Sequence, residues 1–129
     1  GSKFINEDKP QKDAYQAAVQ QAKDLINNTG NPTLDKSQVE QLTQEVKTAK
    51  DNLHGDQKLA RHQQQAVTTV NALPNLNLAH QQALTDAIKA APTRTQLAPH
   101  VHTATELDHA LVTLKNSVDH VNVDIVEPT

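Results

Sequence analysis

The sequence predicts an all-α fold in which serial helical bundles share a long connecting helix, giving a rod-like unit. Three observations carry this. Four stretches with helix-period apolar spacing, which keeps side chains on one helix face, fill nearly all of the 129 residues. Two of these stretches, Asp35 to about Leu73 and Thr93 to about Val121, are too long for one compact bundle. The last one repeats Ala104, Leu107, Leu111, Leu114, Val118 and Val121 after the preceding helices have run out of matching length. Its far end is expected to pack against something outside this polypeptide.

Each element has its own justification. Gly1 and Ser2 read as a cloning scar, and Lys3 to Lys9 as an extended lead-in, with Phe4 and Ile5 followed by polar residues. Pro10 suits the first turn of a helix, and Tyr15, Ala18, Val19, Ala22, Leu25 and Ile26 extend that helix to about Asn28. The run from Asn27 to Pro32 stops it, with Gly30 available as a left-handed cap. Asp35 starts the next helix as N-cap, with Gln38 at the capping-box position and Leu34 placed to staple onto Val39. Val39, Leu42, Val46, Ala49 and Leu53 form its stripe; Leu59, Gln63, Ala66, Val67, Val70 and Leu73 restart the pattern with a shift around His54, Gly55 and Asp56.

Two readings stand at that shift: a helix ended at Gly55, or one helix that tolerates Gly55 at about 1 kcal/mol. With no Pro nearby and helix-favouring Gln57 and Lys58 following, continuity is the expectation, and the helix would be roughly 60 Å long. Pro74, Asn75 and Asn77 mark a turn. Leu76, Ala79, Ala83, Leu84, Ala87, Ile88 and Ala91 then give a shorter helix ending before Pro92, and Thr93 with Gln96 repeats the capping box. Pro99 would cost about 3 kcal/mol inside a helix, so a kink or a delayed start is expected there.

Composition sets the scale of the cores. With 36% hydrophobic and 2% aromatic residues and no Trp, Met or Cys, they must be built from Leu, Val, Ile and Ala. Cores of such small modules are thin and often depend on neighbours. Lack of Cys removes disulfides, thiolate zinc sites and cysteine nucleophiles together. Net charge is −3, with Lys and Arg interleaved among Asp and Glu, which argues against nucleic acid. No run approaches the roughly 18 apolar residues of a membrane span.

Candidate chemistry is sparse. His102, Glu106 and His109 lie at i, i+4 and i+7, a spacing that suits three zinc ligands, but a solvated face is the default reading and no metal is assigned. His100 falls on a different helix side from His102, and His54 either caps the junction or is exposed. Ser37 is read as a first-turn residue and Ser117 as a surface position, so neither is a nucleophile. The pairs Glu7 and Asp8, and Glu40 and Glu45, sit in charge-mixed stretches that read as solvated faces. Tyr15 is in phase with the core stripe, and Phe4 is left open. Catalytic, cofactor and metal residues are therefore assigned as none, and ligand-binding residues are not identified.

The strings NxTGNPTLDK, NLHGDQKLA and TATELDHA, within a match over residues 3 to 123, closely resemble the repeat unit of the giant staphylococcal extracellular matrix-binding proteins of the Ebh and Embp type. The resemblance implies tandem three-helix-bundle modules: a FIVAR-like module over residues 3–55 and, over 56–129, a module similar to the albumin-binding GA domain. It implies that the connecting helix runs through the junction, and that the tail of the last helix supplies a missing helix to the next repeat. It also implies a wall-associated extracellular adhesin that binds fibronectin and supports colonisation and biofilm formation; the residues themselves assign no enzymatic activity and no cofactor. Albumin-binding GA domains carry aromatic and bulky residues on their second helix, whereas this one reads LAHQQALTDAIKAA, which argues against albumin. A stiff spacer with no ligand of its own is the main alternative, and capture of albumin or cell-wall glycan a further one.

Overall fold

The computed structural model describes residues 1–27 and 35–126, with side chains through Val121. The described residues form α1 (Ser2–Ile5), α2 (Lys9–Ile26), α3 (Lys36–Asp51), α4 (Gly55–Asn71), α5 (Leu78–Ala90), a 3-10 turn (Arg94–Gln96) and α6 (Leu97–Val126), with no strand among them. The all-α reading holds. The chain divides into two compact units, Gly1–Lys58 and Leu59–Thr129, and the division falls inside α4.

In the first unit the expected lead-in is partly helical. Phe4 and Ile5 donate their N–H groups to Gly1 O at 3.1 and 3.0 Å, and Asn6 closes the turn on Ser2 through both backbone and side chain. A helix of four residues is too short to leave a periodic trace, which is why the pattern missed it. The Phe4 ring lies against Tyr15, with centroids 6.0 Å apart, and Lys12 Nζ sits 5.7 Å from the Phe4 centroid. Asp8 is the extended N-cap residue of α2, with Pro10 in the first turn. Asp35 caps α3 by accepting from the Ser37 N–H at 2.9 Å. Leu34 and the segment from Asn28 to Pro32 lie outside the described residues, and Val39, the other half of the expected staple, is 47% exposed. Helices α2 and α3 pack together, but only Ala18 of α2 and no residue of α3 is buried. Half-buried Val19, Ala22, Leu25, Leu42, Val46 and Ala49 line their seam.

The continuous helix expected from Asp35 to Leu73 is two helices. In an unbroken helix the His54 N–H would bond the carbonyl of Lys50. Here that carbonyl takes the Leu53 N–H at 3.1 Å, a tighter turn, and the His54 N–H goes to Glu7 Oε2 at 2.6 Å. The chain then restarts with the Lys58 N–H on His54 O at 3.0 Å.

Glu7 is also the main correction to the charge reading, because its carboxylate is buried rather than solvated. It accepts from the Asp8 N–H at 2.7 Å, from the His54 N–H, and from Lys58 Nζ, which also reaches Asp8 Oδ2 at 2.8 Å. Burial works against its ionisation, but donation from Lys58, His54 and Asp8 outweighs it and holds the carboxyl at about 2, below the usual 4.5. Donation to the Asp8 and Glu7 carboxylates raises the Lys58 ammonium above its ordinary value. Beside this cluster, the backbone of α1 presses on Gly55. A Cβ built there would lie 2.6 Å from Ser2 O and closer still to Lys3 O.

The second unit has a closed core. Ala66, Val67 and Val70 of α4, Leu76 of the turn, Ile88 and Ala91 at the end of α5, and Leu97 and Ala104 of α6 form one buried cluster; Leu59, Leu73, Leu84, Val101, Leu107 and Leu111 pack around it. Gln63, a polar residue inside the predicted apolar stripe, donates its side-chain amide to Ile88 O and Lys89 O at 3.3 Å and to Ala91 O at 3.1 Å. It thereby covers carbonyls that the end of α5 leaves without helical partners. Asn77 caps α5 by accepting from His80 N–H at 2.8 Å, and Asp108 holds the preceding turn through the Asn75 N–H at 2.8 Å.

The delayed start expected near Pro99 is present. The chain makes a 3-10 turn first, and α6 begins at Leu97, so Pro99 falls in the first turn, where a missing N–H costs nothing. The capping box expected at Thr93 does not form through its side chain; the Thr93 hydroxyl lies 3.1 Å from that of Thr95.

Two outcomes follow for the first unit, which holds the only tyrosine, Tyr15, and can be followed by its fluorescence. Gly55→Ala should destabilise it by about 1–3 kcal/mol, because backbone rather than a flexible side chain must yield; an unchanged urea midpoint would show that the approach of α1 to Gly55 is not required. Since folding favours ionised Glu7, its contribution is complete above pH 4.5 and lost as pH falls towards 2. The Tyr15 midpoint should therefore fall across that window, and Glu7→Gln should lower the neutral-pH midpoint and flatten the fall.

Candidate functional site

The residues singled out for chemistry do not converge. His102 Nε2 lies 3.1 Å from Glu106 Oε1 on a face where both side chains are largely exposed. No group of three His, Asp or Glu among the described residues is placed to hold a metal ion. Ser37 gives its backbone N–H to the Asp35 cap, and the Ser117 hydroxyl donates to Thr113 O at 3.0 Å, both helix-local roles. Glu40 pairs with Lys36 at 3.6 Å and Glu45 accepts from Gln41 at 3.3 Å, each within α3 and at the surface. His54 is exposed, while its backbone N–H belongs to Glu7. No helix among the described residues is long and apolar enough to cross a membrane.

Surfaces rather than side-chain clusters are what the molecule offers. The α6 stripe is satisfied only in its first half. Ala104 is fully buried and Leu107 and Leu111 are half-buried, but Leu114, Val118 and Val121 are 60%, 50% and 52% exposed. Three large aliphatic side chains in register on one face are a different matter from single exposed ones, which are ordinary.

Two open grooves of the first unit flank the α2 and α3 pair. One, of about 580 Å³, has Phe4, Tyr15, Val19 and Leu53 along its floor and Lys3, Lys23 and Lys50 among its walls. The other, of about 570 Å³, runs over Ala14, Ala17, Ala18 and Ala49 with Gln21, Gln44 and Thr48 beside them. Gln21, Asp24 and Leu25 near the end of α2 share a further lining with Gln38 and Leu42 near the start of α3, and Ala14 lies with Asn52 in the second groove, so the two helices run antiparallel. Tyr15, placed in a core by its phase, lines the first groove and is half-buried, because no third long helix closes the pair within the described residues. Phe4 could not be assigned from the sequence, since its position depends on the turn of α1 and on the contact with Tyr15.

Comparison with known proteins gives two family matches. A FIVAR domain model matches residues 1–54 and a GA module model matches residues 56–110. The chain is 84% identical over 128 residues to the extracellular matrix-binding protein EbhA of Staphylococcus aureus strain Newman, covering 99% of this chain and 4% of that protein. It has the same identity and coverage against the extracellular matrix-binding protein ebh of strain NCTC 8325 / PS 47, of which it spans 1%. The chain is thus a small fraction of the length of these relatives. Among solved structures, the 756–1003 domain of EbhA from S. aureus superposes with a TM-score of 0.87 at 28% identity, over 98% of this chain and 51% of that one. A second S. aureus crystal structure, of a domain described as similar to streptococcal adhesins emb and ebhA/ebhB, gives a TM-score of 0.74 at 30% identity over 84% of both chains. A FIVAR match followed directly by a GA match, carried on a helical chain that superposes on these domains, means that this chain belongs to the repeat family of the staphylococcal Ebh extracellular matrix-binding proteins.

Proposed function

We propose that the chain is one unit of a bacterial surface array that attaches to host extracellular matrix, with fibronectin as its foremost ligand. The observation that carries this reading is the unfilled apolar surface at both ends of the chain, set beside the matrix-binding names of its relatives. The first unit lacks a third long helix among its described residues, and α6 carries Leu114, Val118 and Val121 to the surface. A unit of this kind is built to be completed by neighbouring repeats. On this reading residues 3–55 are the FIVAR-like module and residues 56–129 are the GA-like module, with α6 extending toward the next repeat.

Weak contact per unit, multiplied through effective concentration, gives such an array its grip, and the mode of action is adhesive rather than enzymatic. Attachment of this kind would support colonisation and biofilm formation from the outer face of the cell wall, reached through parts of the parent protein beyond this chain. Albumin is disfavoured for the reason given by the second helix of the GA-like module. A spacer without a ligand of its own is the second reading, and one observation favours it: both grooves are open, and their walls mix Lys, Gln and Thr without a buried convergent polar set of the kind that orients a small ligand.

Biolayer interferometry of one, two and four linked repeats on immobilised fibronectin, with albumin on a parallel sensor, separates the readings. The adhesin reading expects a fibronectin signal that rises steeply with repeat number and none on albumin; a flat response at every repeat number leaves the spacer. Neighbour packing is tested by sedimentation. The single unit should self-associate as concentration rises, and Leu114→Asp with Val118→Asp should abolish that; a monomer in both cases overturns it.

A further inference from the structure

We infer that the contact of Glu7 and Asp8 with His54 and Lys58 is a mechanical latch, which takes tension applied along the chain and shields α2 and α3 until it opens. The argument is one of chain topology. Glu7 and His54 are 47 residues apart in sequence, and their hydrogen bond at 2.6 Å closes a loop that contains all of α2 and α3. Tension entering the first unit at its N-terminus and leaving through α4 meets this closure before it reaches anything inside the loop. Lys58 on Glu7 and Asp8 makes a second closure in parallel, and the backbone of α1 seated on Gly55 makes a third point of contact beside it.

The chemistry suits the task. The Glu7 side chain has no exposed surface and that of Lys58 is only 18% exposed, so the ion pair is sheltered from water and salt in a way that surface pairs such as Lys9 with Asp13 are not. The bonds from the His54 N–H and Lys58 Nζ converge on one carboxylate, so they are lost together and opening is steep rather than gradual. The α2 and α3 pair, by contrast, has only Ala18 buried and two open grooves. It is the softer element, and it sits where tension cannot reach it first. Once the latch opens, the loop can pay out on the order of 150 Å of chain. The inference rests on the proposed function only in supposing that the chain works under tension; the order of events is a property of the fold and is tested without any ligand.

The test is single-molecule pulling on tandem copies of the full chain. Loaded through its ends, the first unit should rupture at a defined force, and Glu7→Gln should raise its unfolding rate under fixed load by roughly tenfold or more with the released length unchanged. Val19→Ala with Leu42→Ala, which weakens the seam of α2 and α3, should lower the thermal midpoint but leave the end-loaded rupture force as it was. Equal loss of force in both variants overturns the latch. Should Glu7→Gln not fold, the intact latch can be bypassed, since the chain has no cysteine of its own: handles on Asp13→Cys and Lys47→Cys load α2 against α3 directly. That pull should yield at a clearly lower force than the pull through the ends, and an equal or higher force overturns the proposal.

Discussion

Glu7 decides the form of the first unit because its carboxylate competes with the helix for a backbone donor. The His54 N–H, which would otherwise continue the ladder from α3 into α4, is held by Glu7 Oε2, while Lys58 neutralises the charge that this arrangement buries. One side chain from the N-terminal segment thus ends one helix, opens the next and fixes its own segment against both. The energetic condition is strict. A buried carboxylate is tolerable only when nearly all its acceptor capacity is used, and here two backbone N–H groups and an ammonium use it. Gly55 belongs to the same condition, since a side chain there would push the backbone of α1 off the junction.

The two units solve the problem of a thin, aromatic-poor core differently. The second closes around fully buried Val70, Ile88 and Ala104 and recruits a Gln side chain to cover the carbonyls at the end of α5. The first leaves its long helices half covered and relies on polar bonding at the junction. That contrast follows from what each has available: the second has three long helical stretches to enclose a core, and the first has two among its described residues.

Most of the helices were legible in the sequence because they obey periodicity and because their ends carry recognisable caps. Asp35 and the position of Pro99 acted as the local chemistry required, whereas Asn77, read only as part of a turn, is also the cap of α5. The exposed half of the α6 stripe was legible too, as a pattern running past its partners. What could not be read was set by contacts between residues far apart in sequence. Glu7 finds Lys58 across 51 positions, and no spacing rule links them, so a pair of acids beside polar neighbours looked solvated. The break between α3 and α4 followed from that same contact and was missed with it. The turn of α1 and the groove floored by Phe4 and Tyr15 were hidden because neither a four-residue helix nor a single aromatic contact has a period. The contact surface for a ligand was not legible at all, since polar helix faces rich in Gln, Asn, Thr and Lys look alike whether they bind or only hydrate.

The interruption between α3 and α4 also bears on how long the chain survives among proteases. A three-residue break between helices is ordinarily the place where a peptidase can draw the backbone into its cleft, which requires a local stretch of chain to lift free of its bonds. At this break Leu53 is buried, the His54 N–H is engaged by a buried carboxylate, and Gly55 is covered by the backbone of α1. Cleavage there must wait for the whole junction to come apart, so the covalent link between α3 and α4 is guarded by the same bonds that interrupt the helix.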